Sequence, residues 1–188
     1  MLPLVRSLFD PEARPGAGGL SALSALARLV FAAVLLRFFW SSFLTKISGF
    51  GLSAGAYVQI LPKQFDAAGY DPAALAWPWH LVVIAGTMAE FVLPLLVVLG
   101  LLTRPAAIGM IGFILVMSLT DIYGHGVDAV TIGRLFDADP YGKILDQRLL
   151  WAFTLAVPAL LGGGALSCDA VLARLMRPRL IRRRAVAP

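Results

Sequence analysis

The sequence is poor in charged residues and almost free of cysteine. Of its 188 residues, only 14% are charged, whereas 59% are hydrophobic, and the mean hydropathy is +0.82. Soluble domains carry about 25% charged residues, so an ordinary water-soluble domain is excluded. Cys168 is the only cysteine, which excludes an intrachain disulfide, a CxxC redox pair and a sulfur-rich metal site.

Sequence motifs for self-contained catalysis are also missing. The glycines at 162–164 are not followed by Lys-Ser or Lys-Thr, so they do not form a phosphate-binding loop. No serine-nucleophile motif or pair of catalytic carboxylates is apparent. Whether the chain is an enzyme therefore stays open, and any redox activity would need a borrowed cofactor. The net charge is +5, but no nucleic-acid-binding motif accompanies it, so no nucleic-acid partner is expected.

Long apolar runs are abundant, and each is close to the ~20 residues that a helix needs to cross a bilayer. Lipid admits only helices or closed barrels, and no strand-like alternation is present. The sequence therefore predicts an all-α integral membrane four-helix bundle. The predicted spans are residues 20–45, 79–102, 105–123 and 149–166.

The segments outside the runs have their own character. Three prolines interrupt the connection at about 46–78, which predicts short interfacial helices in the outer loops. Trp77 and Trp79 fall where an aromatic belt is expected. Ser167 and Asp169 suit a helix start, and an amphipathic C-terminal segment follows. The predicted organisation is an N-terminal segment, one membrane domain and a basic tail, at residues 1–19, 20–172 and 173–188.

Arginine placement predicts the orientation. Arg6 and Arg14 precede the first run, Arg104 lies between the second and third, and six arginines crowd the tail. By the positive-inside rule both termini are expected to be cytoplasmic. The basic tail is expected to attract anionic lipids at the cytoplasmic face. The first nineteen residues lack the apolar stretch of a cleavable signal peptide.

One permanent cation, Arg37, stands in the middle of the first run. Arg28 and Lys46 lie nine residues to either side and are expected to reach the two membrane surfaces, which Arg37 cannot do. Glu90, the only charged residue of the second run, lies at nearly the same depth. An isolated charge there costs about 2.5–3.5 kcal/mol, so the sequence predicts a buried Arg37–Glu90 ion pair.

Two prolines add polar backbone near mid-membrane. Pro94 cannot donate to the carbonyl of Glu90, and Pro158 cannot donate to that of Thr154. Hydroxyls of Thr87, Ser41, Ser118 and Thr154 are candidates to serve such carbonyls. The freed carbonyls allow two alternatives. They line a polar pocket, or they are hydrogen-bonded within a kinked but closed bundle. On the first alternative, the candidate cofactor-binding residues are Arg37, Glu90, Thr87, Ser41 and Thr154.

His80 and His125 are both expected at the outer face. With Asp121 they form a weak candidate for a metal or haem site, since no HxxxH or HExxH spacing exists. The preferred interpretation pairs Asp121 with Arg148 and leaves the histidines as ordinary hydrogen-bonding residues.

Several short motifs recur in a known order. They are an arginine opening the first run (Arg28), a lysine at its far end (Lys46), Glu90, a Gly-Leu-Leu-Thr-Arg turn at 100–104, and a glycine-rich stretch leading to Leu-Ser-x-Asp at 166–169. In this order they resemble the DoxX family of small four-helix bacterial membrane proteins. The resemblance covers most of residues 20–172. The long polar third connection and Cys168 depart from the family pattern.

The resemblance leaves two functions open. The family takes its name from a subunit of a quinone-linked redox system, which implies an accessory or anchor subunit with a quinone as cofactor. Other members are associated with redox homeostasis or metal stress, and imply a protein partner in such a complex. The alternative is a non-enzymatic membrane scaffold, or a component of small-solute transport or metal homeostasis.

Overall fold

The computed structural model describes residues 16–184, with side chains up to residue 176. Predictions about residues 1–15 and about the last side chains of the tail lie outside the described residues. The eight helices of the described chain, numbered here in order, are α1 (Ala17–Thr45), α2 (Ala54–Ile60), α3 (Pro62–Ala67), α4 (Trp77–Leu99), α5 (Thr103–His125), α6 (Ala129–Ile132), α7 (Lys143–Leu161) and α8 (Cys168–Arg184).

Four of these helices are long and apolar enough to cross a membrane, as predicted. They are α1, α4, α5 and α7, with mean hydropathies of 2.0, 2.4, 1.8 and 1.4. The fold is therefore all-α, and the protein is a multi-pass membrane protein. A two-stranded hairpin of β1 (Ile47–Ser48) and β2 (Gly51–Leu52) and a short 3-10 turn at Pro72–Ala74 complete the described elements.

The spanning helices form a closed ring in which α1 changes its neighbour halfway. Its first half packs against α7 and its second half against α4, while α5 packs against both α4 and α7. A π-helical segment at Ala32–Leu36 separates the two halves. An inserted π turn rotates the following residues around the helix axis, which fits the change of partner.

An apolar core fills one half of the ring. Phe31, Leu35, Phe39, Met110 and Leu155 are at most 3% exposed. The ring of Phe39 meets those of Phe113 and Trp151 edge-on. This core lies toward the end of the bundle that carries Arg28, called here the Arg28 end. The opposite end, where α4 begins and α5 finishes, is called the Trp77 end.

The connection between α1 and α4 covers the Trp77 end. It holds the hairpin, α2 and α3, which confirms the predicted short helices in this loop. Tyr57 and Phe65 are buried against Val83 of α4, and the Tyr57 hydroxyl lies 2.7 Å from His80 Nδ1. Trp77 and Trp79 are 71% and 38% exposed, as an aromatic belt requires.

Arg28 holds the Arg28 end together. Its guanidinium donates to the carbonyls of Val97 (2.9 Å) and Val98 (2.6 Å), near the last turn of α4. It also donates to the carbonyls of Gly163 (2.7 Å) and Leu166 (2.9 Å), just after α7. Arg28 is only 7% exposed, because these carbonyls enclose it. That it reaches the membrane surface stays a prediction. Helix C-termini leave carbonyls without hydrogen-bond partners. The Arg28 guanidinium donates to such carbonyls at the ends of both α4 and α7.

Asp169 caps the N-terminus of α5, whereas Arg28 caps helix C-termini. Its carboxylate accepts from the backbone N–H groups of Leu102 (2.8 Å) and Thr103 (2.9 Å) and from the Thr103 hydroxyl (2.7 Å). These groups lie at the N-terminus of α5, which attracts negative charge. Desolvation opposes ionisation of Asp169, but the hydrogen bonds from Thr103 and Leu102 outweigh it and lower the pKa.

Gly100 lets these caps approach each other. It ends α4 in the left-handed conformation, with φ of 66°. A Cβ at this position would lie 2.6 Å from Ser167 Cβ and 2.7 Å from Arg28 Cζ. Only glycine fits both the backbone and the space.

The tail continues as helix α8, which confirms a helix near the predicted start. Its residues 171–176 are all exposed. The predicted amphipathic distribution of its arginines depends on side chains outside the described part, and stays a prediction.

We predict that Arg28→Met strongly destabilises the protein in detergent. The variant removes four hydrogen bonds from a charged donor to backbone carbonyls, and hydrogen bonds to charged groups contribute about 1.5–3 kcal/mol each. The measurement is the thermal unfolding midpoint. Arg104→Met is the matched control, because Arg104 is exposed. Equal midpoints for the two variants would contradict the capping role.

Candidate functional site

Glu90 forms a buried ion pair with Lys46. The Lys46 Nζ atom lies 3.0 Å and 2.9 Å from the two carboxylate oxygens, and the side chains are only 2% and 7% exposed. Ser42 joins the pair, since its hydroxyl lies 2.7 Å from Lys46 Nζ and 3.2 Å from Glu90 Oε1. These hydrogen bonds and the ion pair compensate for burying both charges among apolar residues.

The pair fixes the depth at which α1 ends. Glu90 follows Trp77 by thirteen residues, which is about 20 Å along α4 at ~1.5 Å per residue. The end of α1, one residue before Lys46, therefore lies well below the Trp77 end of the bundle. The hairpin and α2 fill part of the space above it. Lys46 was expected at the membrane surface, and this prediction is wrong.

The predicted Arg37–Glu90 pair is also wrong. Arg37 is exposed and lines a shallow groove on the outer side of α1 with Ser41 and Thr45. Arg37 and Lys46 are nine residues apart, or two and a half turns at ~3.6 residues per turn. They consequently point to opposite sides of α1. Matching the residues by depth alone missed this rotation.

A second ion pair lies toward the Trp77 end. Arg148 NH2 is 2.5 Å from Asp121 Oδ2, which confirms the predicted Asp121–Arg148 pair. Arg148 NH1 also donates to Ser118 at 3.1 Å. The buried Nε of Arg148 has no hydrogen-bond partner among the described residues. Asp121 stands in a π-helical segment of α5, and Arg148 directly follows one in α7; such segments are frequent at functional sites.

Both ion pairs line one cavity of about 630 Å³. A volume of this size is typical of sites for small organic ligands, about 300–1,000 Å³. Its walls come from the second half of α1, from α4 and α5, and from α2 and the start of α7. Apolar residues dominate the walls, while the charged groups and Gln59 and His125 supply the polar lining. This cavity is the candidate functional site.

The predicted hydroxyl residues do not gather around the cavity. Thr154 donates to Leu150 (2.9 Å) and Ser118 to Ile114 (2.7 Å), so both satisfy carbonyls of their own helices. Thr87 is fully buried, and its hydroxyl has no partner among the described residues. Ser41 lies in the same groove as Arg37. Of the five candidate cofactor-binding residues, only Glu90 lines the cavity.

A side chain of α1 donates a hydrogen bond to the backbone of α4 near Pro94. Trp40 Nε1 donates to the carbonyl of Phe91 at 3.3 Å, and the two rings stack with centroids 5.3 Å apart. The acceptor is not the carbonyl of Glu90, which is the one that Pro94 leaves without a donor. Both α4 and α7 continue through their prolines.

The histidines have separate partners. His80 contacts Tyr57, as described above, and His125 Nε2 lies 3.1 Å from the carbonyl of Gln59. Within residues 16–184, no group of three or more His, Cys, Asp or Glu side chains is placed to hold a metal ion.

Comparison with known proteins now identifies the family. The family model for DoxX matches residues 23–121, which is more than half of the chain. The chain belongs to the DoxX family. The matched residues cover α4 and most of α1 and α5, and α7 lies outside them. Neither curated proteins nor solved structures give a match.

The structure shows where the motifs of the DoxX resemblance meet. Arg28, the turn at 100–104 and the stretch at 162–169 form the network at the Arg28 end. Lys46 and Glu90 form the buried pair at the cavity. The motifs therefore form two clusters. One caps helix termini at the Arg28 end, and the other lines the cavity.

Sequence reasoning missed three residues of the site. Lys46 was assigned to the surface, and Ser42 and Gln59 were not singled out. Ser42 precedes Lys46 by four residues, so both lie on one face of α1. That spacing was readable in the sequence. The position of Gln59 depends on the fold of the connection and had no such signal.

We predict that Glu90→Ala destabilises the protein by about 3–5 kcal/mol, because it leaves the Lys46 ammonium buried without a partner. The double variant Lys46→Met with Glu90→Leu should recover most of this loss. Folded yield and the thermal unfolding midpoint in detergent are the measurements.

Arg37→Met serves as the control, and it should change stability little since Arg37 is exposed. If Arg37→Met with Glu90→Leu recovered stability as well as the Lys46 double variant does, the ion-pair assignment would be refuted.

Proposed function

We propose that this DoxX family protein is an accessory membrane subunit of a quinone-linked redox system, and that it holds the ring of a quinone in the cavity. The observation that carries the proposal is the cavity itself, an apolar space within the bundle that is lined by two ion pairs. Electron carriers would belong to a partner protein.

The cavity suits a molecule with an apolar body and a few hydrogen-bond acceptors. Its walls are largely apolar side chains, as in most sites for small organic ligands. The cationic side chains of Lys46 and Arg148 line the cavity. A quinone ring carries two carbonyl oxygens, which accept hydrogen bonds and carry no charge. The residues present therefore fit a quinone.

The protein residues would bind and orient rather than react. A bound quinone supplies reversible two-electron, two-proton chemistry. Lys46 would donate to one carbonyl oxygen in place of Ser42 while keeping its contact with Glu90. Arg148 would donate to an oxygen nearer the Trp77 end. Packed apolar walls exclude water and so strengthen these hydrogen bonds.

A continuous path for a small solute has less support. Toward the Arg28 end, the described part of the bundle is filled by side chains such as Phe31, Phe39 and Val97, each at most 1% exposed. This packing favours a binding site over a through-channel. A scaffold role stays the alternative, favoured by the purely structural cluster around Arg28.

We place the protein in the bacterial inner membrane with the Arg28 end cytoplasmic. That end carries Arg104 and the start of α8 with Arg174, and it is followed by the arginine-rich tail. The excess of arginine supports this orientation. Anionic lipids would meet the same face.

We predict that the purified protein carries a stoichiometric quinone. The measurement is mass spectrometry of an organic-solvent extract, with metals determined in parallel. Lys46→Met with Glu90→Leu is the matched variant, since it should fold but lacks the ammonium donor. Its quinone content should fall several-fold. Equal trace quinone in both proteins would overturn the proposal, and bound metal without quinone would favour the alternative.

Cys168 offers a direct test of the orientation. It lies at the Arg28 end and is partly exposed. We predict that a membrane-impermeant maleimide labels it only after the cells are permeabilised. Cys168→Ala with Val130→Cys is the control, because Val130 lies in the α5–α7 connection, near the Trp77 end, and is 78% exposed. This variant should react in intact cells whose outer membrane admits the reagent. The reverse pattern would show the opposite orientation.

A further inference from the structure

We infer that the cavity opens sideways between α4 and α5, so that its ligand enters from the hydrocarbon of the bilayer, and that this ligand is a flat ring with a single flexible tail. The inference rests on the proposed function for the identity of the ring. The opening itself rests on the geometry of the two helices alone.

The two helices meet at one end of the cavity and separate toward the other. Near the Arg28 end they are in close contact, since a Cβ on Gly109 would lie 3.3 Å from Leu93 Cδ2. Farther along, a Cβ on Gly112 would meet no atom within 4 Å. The helices therefore form a wedge whose narrow end is at Leu93.

The connection between α1 and α4 narrows the wide end of the wedge. A Cβ on Gly86 would lie 3.1 Å from Ile60 Cδ1, and one on Gly124 would lie 2.7 Å from Pro62 Cγ. His125 also contacts the carbonyl of Gln59. The approach from the aqueous side is thus narrowed by α2 and α3, and its exposed lining residues Gln59 and His125 are polar, whereas the flank between α4 and α5 is lined by small or apolar residues.

Small or apolar residues border the flank on both sides. On α4 they are Val82, Ala85 and Ala89, and on α5 they are Gly109, Gly112 and Val116. All six line the cavity, and Val82 and Val116 are 44% and 60% exposed. Residues that both line the cavity and lie on the outer surface mark the rim of an opening. No charged side chain stands on this rim, so the rim suits contact with lipid chains.

The shape and chemistry of the rim restrict the ligand. Glycine and alanine at the edges leave a narrow gap, which suits a flat ring better than a branched headgroup. A phosphate group would have to shed its water to pass an apolar rim, and burying an unpaired charge is costly. A ring with neutral carbonyls passes at lower cost, and its tail can remain in the gap.

The test uses full-length protein in liposomes that contain trifluoromethyl-phenyldiazirine, a small apolar photolabel. Mass spectrometry of the peptides reports carbene insertion at the interior residue Glu90, which is 6% exposed. We expect Glu90 to be labelled in the wild type. Gly112→Trp should reduce the interior labelling several-fold, because the indole fills the gap.

Two controls isolate the opening. Gly112→Ala adds only a Cβ that meets open space, and Leu115→Trp adds an indole on the outer face of α5, where Leu115 is 59% exposed. Both should keep the interior labelling. Ala85→Trp closes the gap from the α4 side and replaces Gly112→Trp if that variant unfolds on heating earlier than the controls.

The outcomes separate this inference from the proposed function. Equal interior labelling in all variants, or labelling only by a water-soluble diazirine, would overturn the lateral opening. Competition by a short-tailed quinone would support both the opening and the quinone. Labelling that depends on Gly112 but resists quinone would uphold the opening and overturn the quinone.

Discussion

The buried Lys46–Glu90 ion pair ties the end of one membrane helix to the middle of another. Because the two side chains neutralise each other inside an apolar bundle, α1 stops below the Trp77 end instead of crossing to it. The hairpin and α2 must then occupy the vacated space. They fill it only in part, and the remaining volume is the cavity. The depth of α1, the folded connection and the candidate site thus depend on one electrostatic contact.

The two ends of the bundle solve the same problem in different ways. In lipid, each helix terminus needs partners for its free backbone groups. At the Arg28 end, a guanidinium caps two helix C-termini and a carboxylate caps one N-terminus. Near the Trp77 end, π-helical segments and ion pairs terminate the helices around open volume. The Arg28 end therefore holds the helices together, and the Trp77 end contains the cavity in which a ligand can bind.

Much of the fold was predictable from hydropathy. Run length gave the four spans, and prolines gave the short helices of the first connection. The pairing of Asp121 with Arg148 followed from their positions at neighbouring helix ends. The partner of Glu90 was not predicted, because residues of α1 were matched to Glu90 by their depth alone and not by the side of the helix on which they lie. The cavity was not predictable in shape, since it depends on the angle between α4 and α5 and on how α2 covers them, and neither is written in any local motif.

The depth of Lys46 also bears on biosynthesis. Lys46 leaves the ribosome 44 residues before Glu90, and a lone lysine near the bilayer centre costs about 2.5–3.5 kcal/mol on insertion scales. Pairing with Glu90 removes this cost once α4 has entered the membrane. Insertion of the two helices together as a hairpin is therefore favoured over insertion of α1 to its final depth alone.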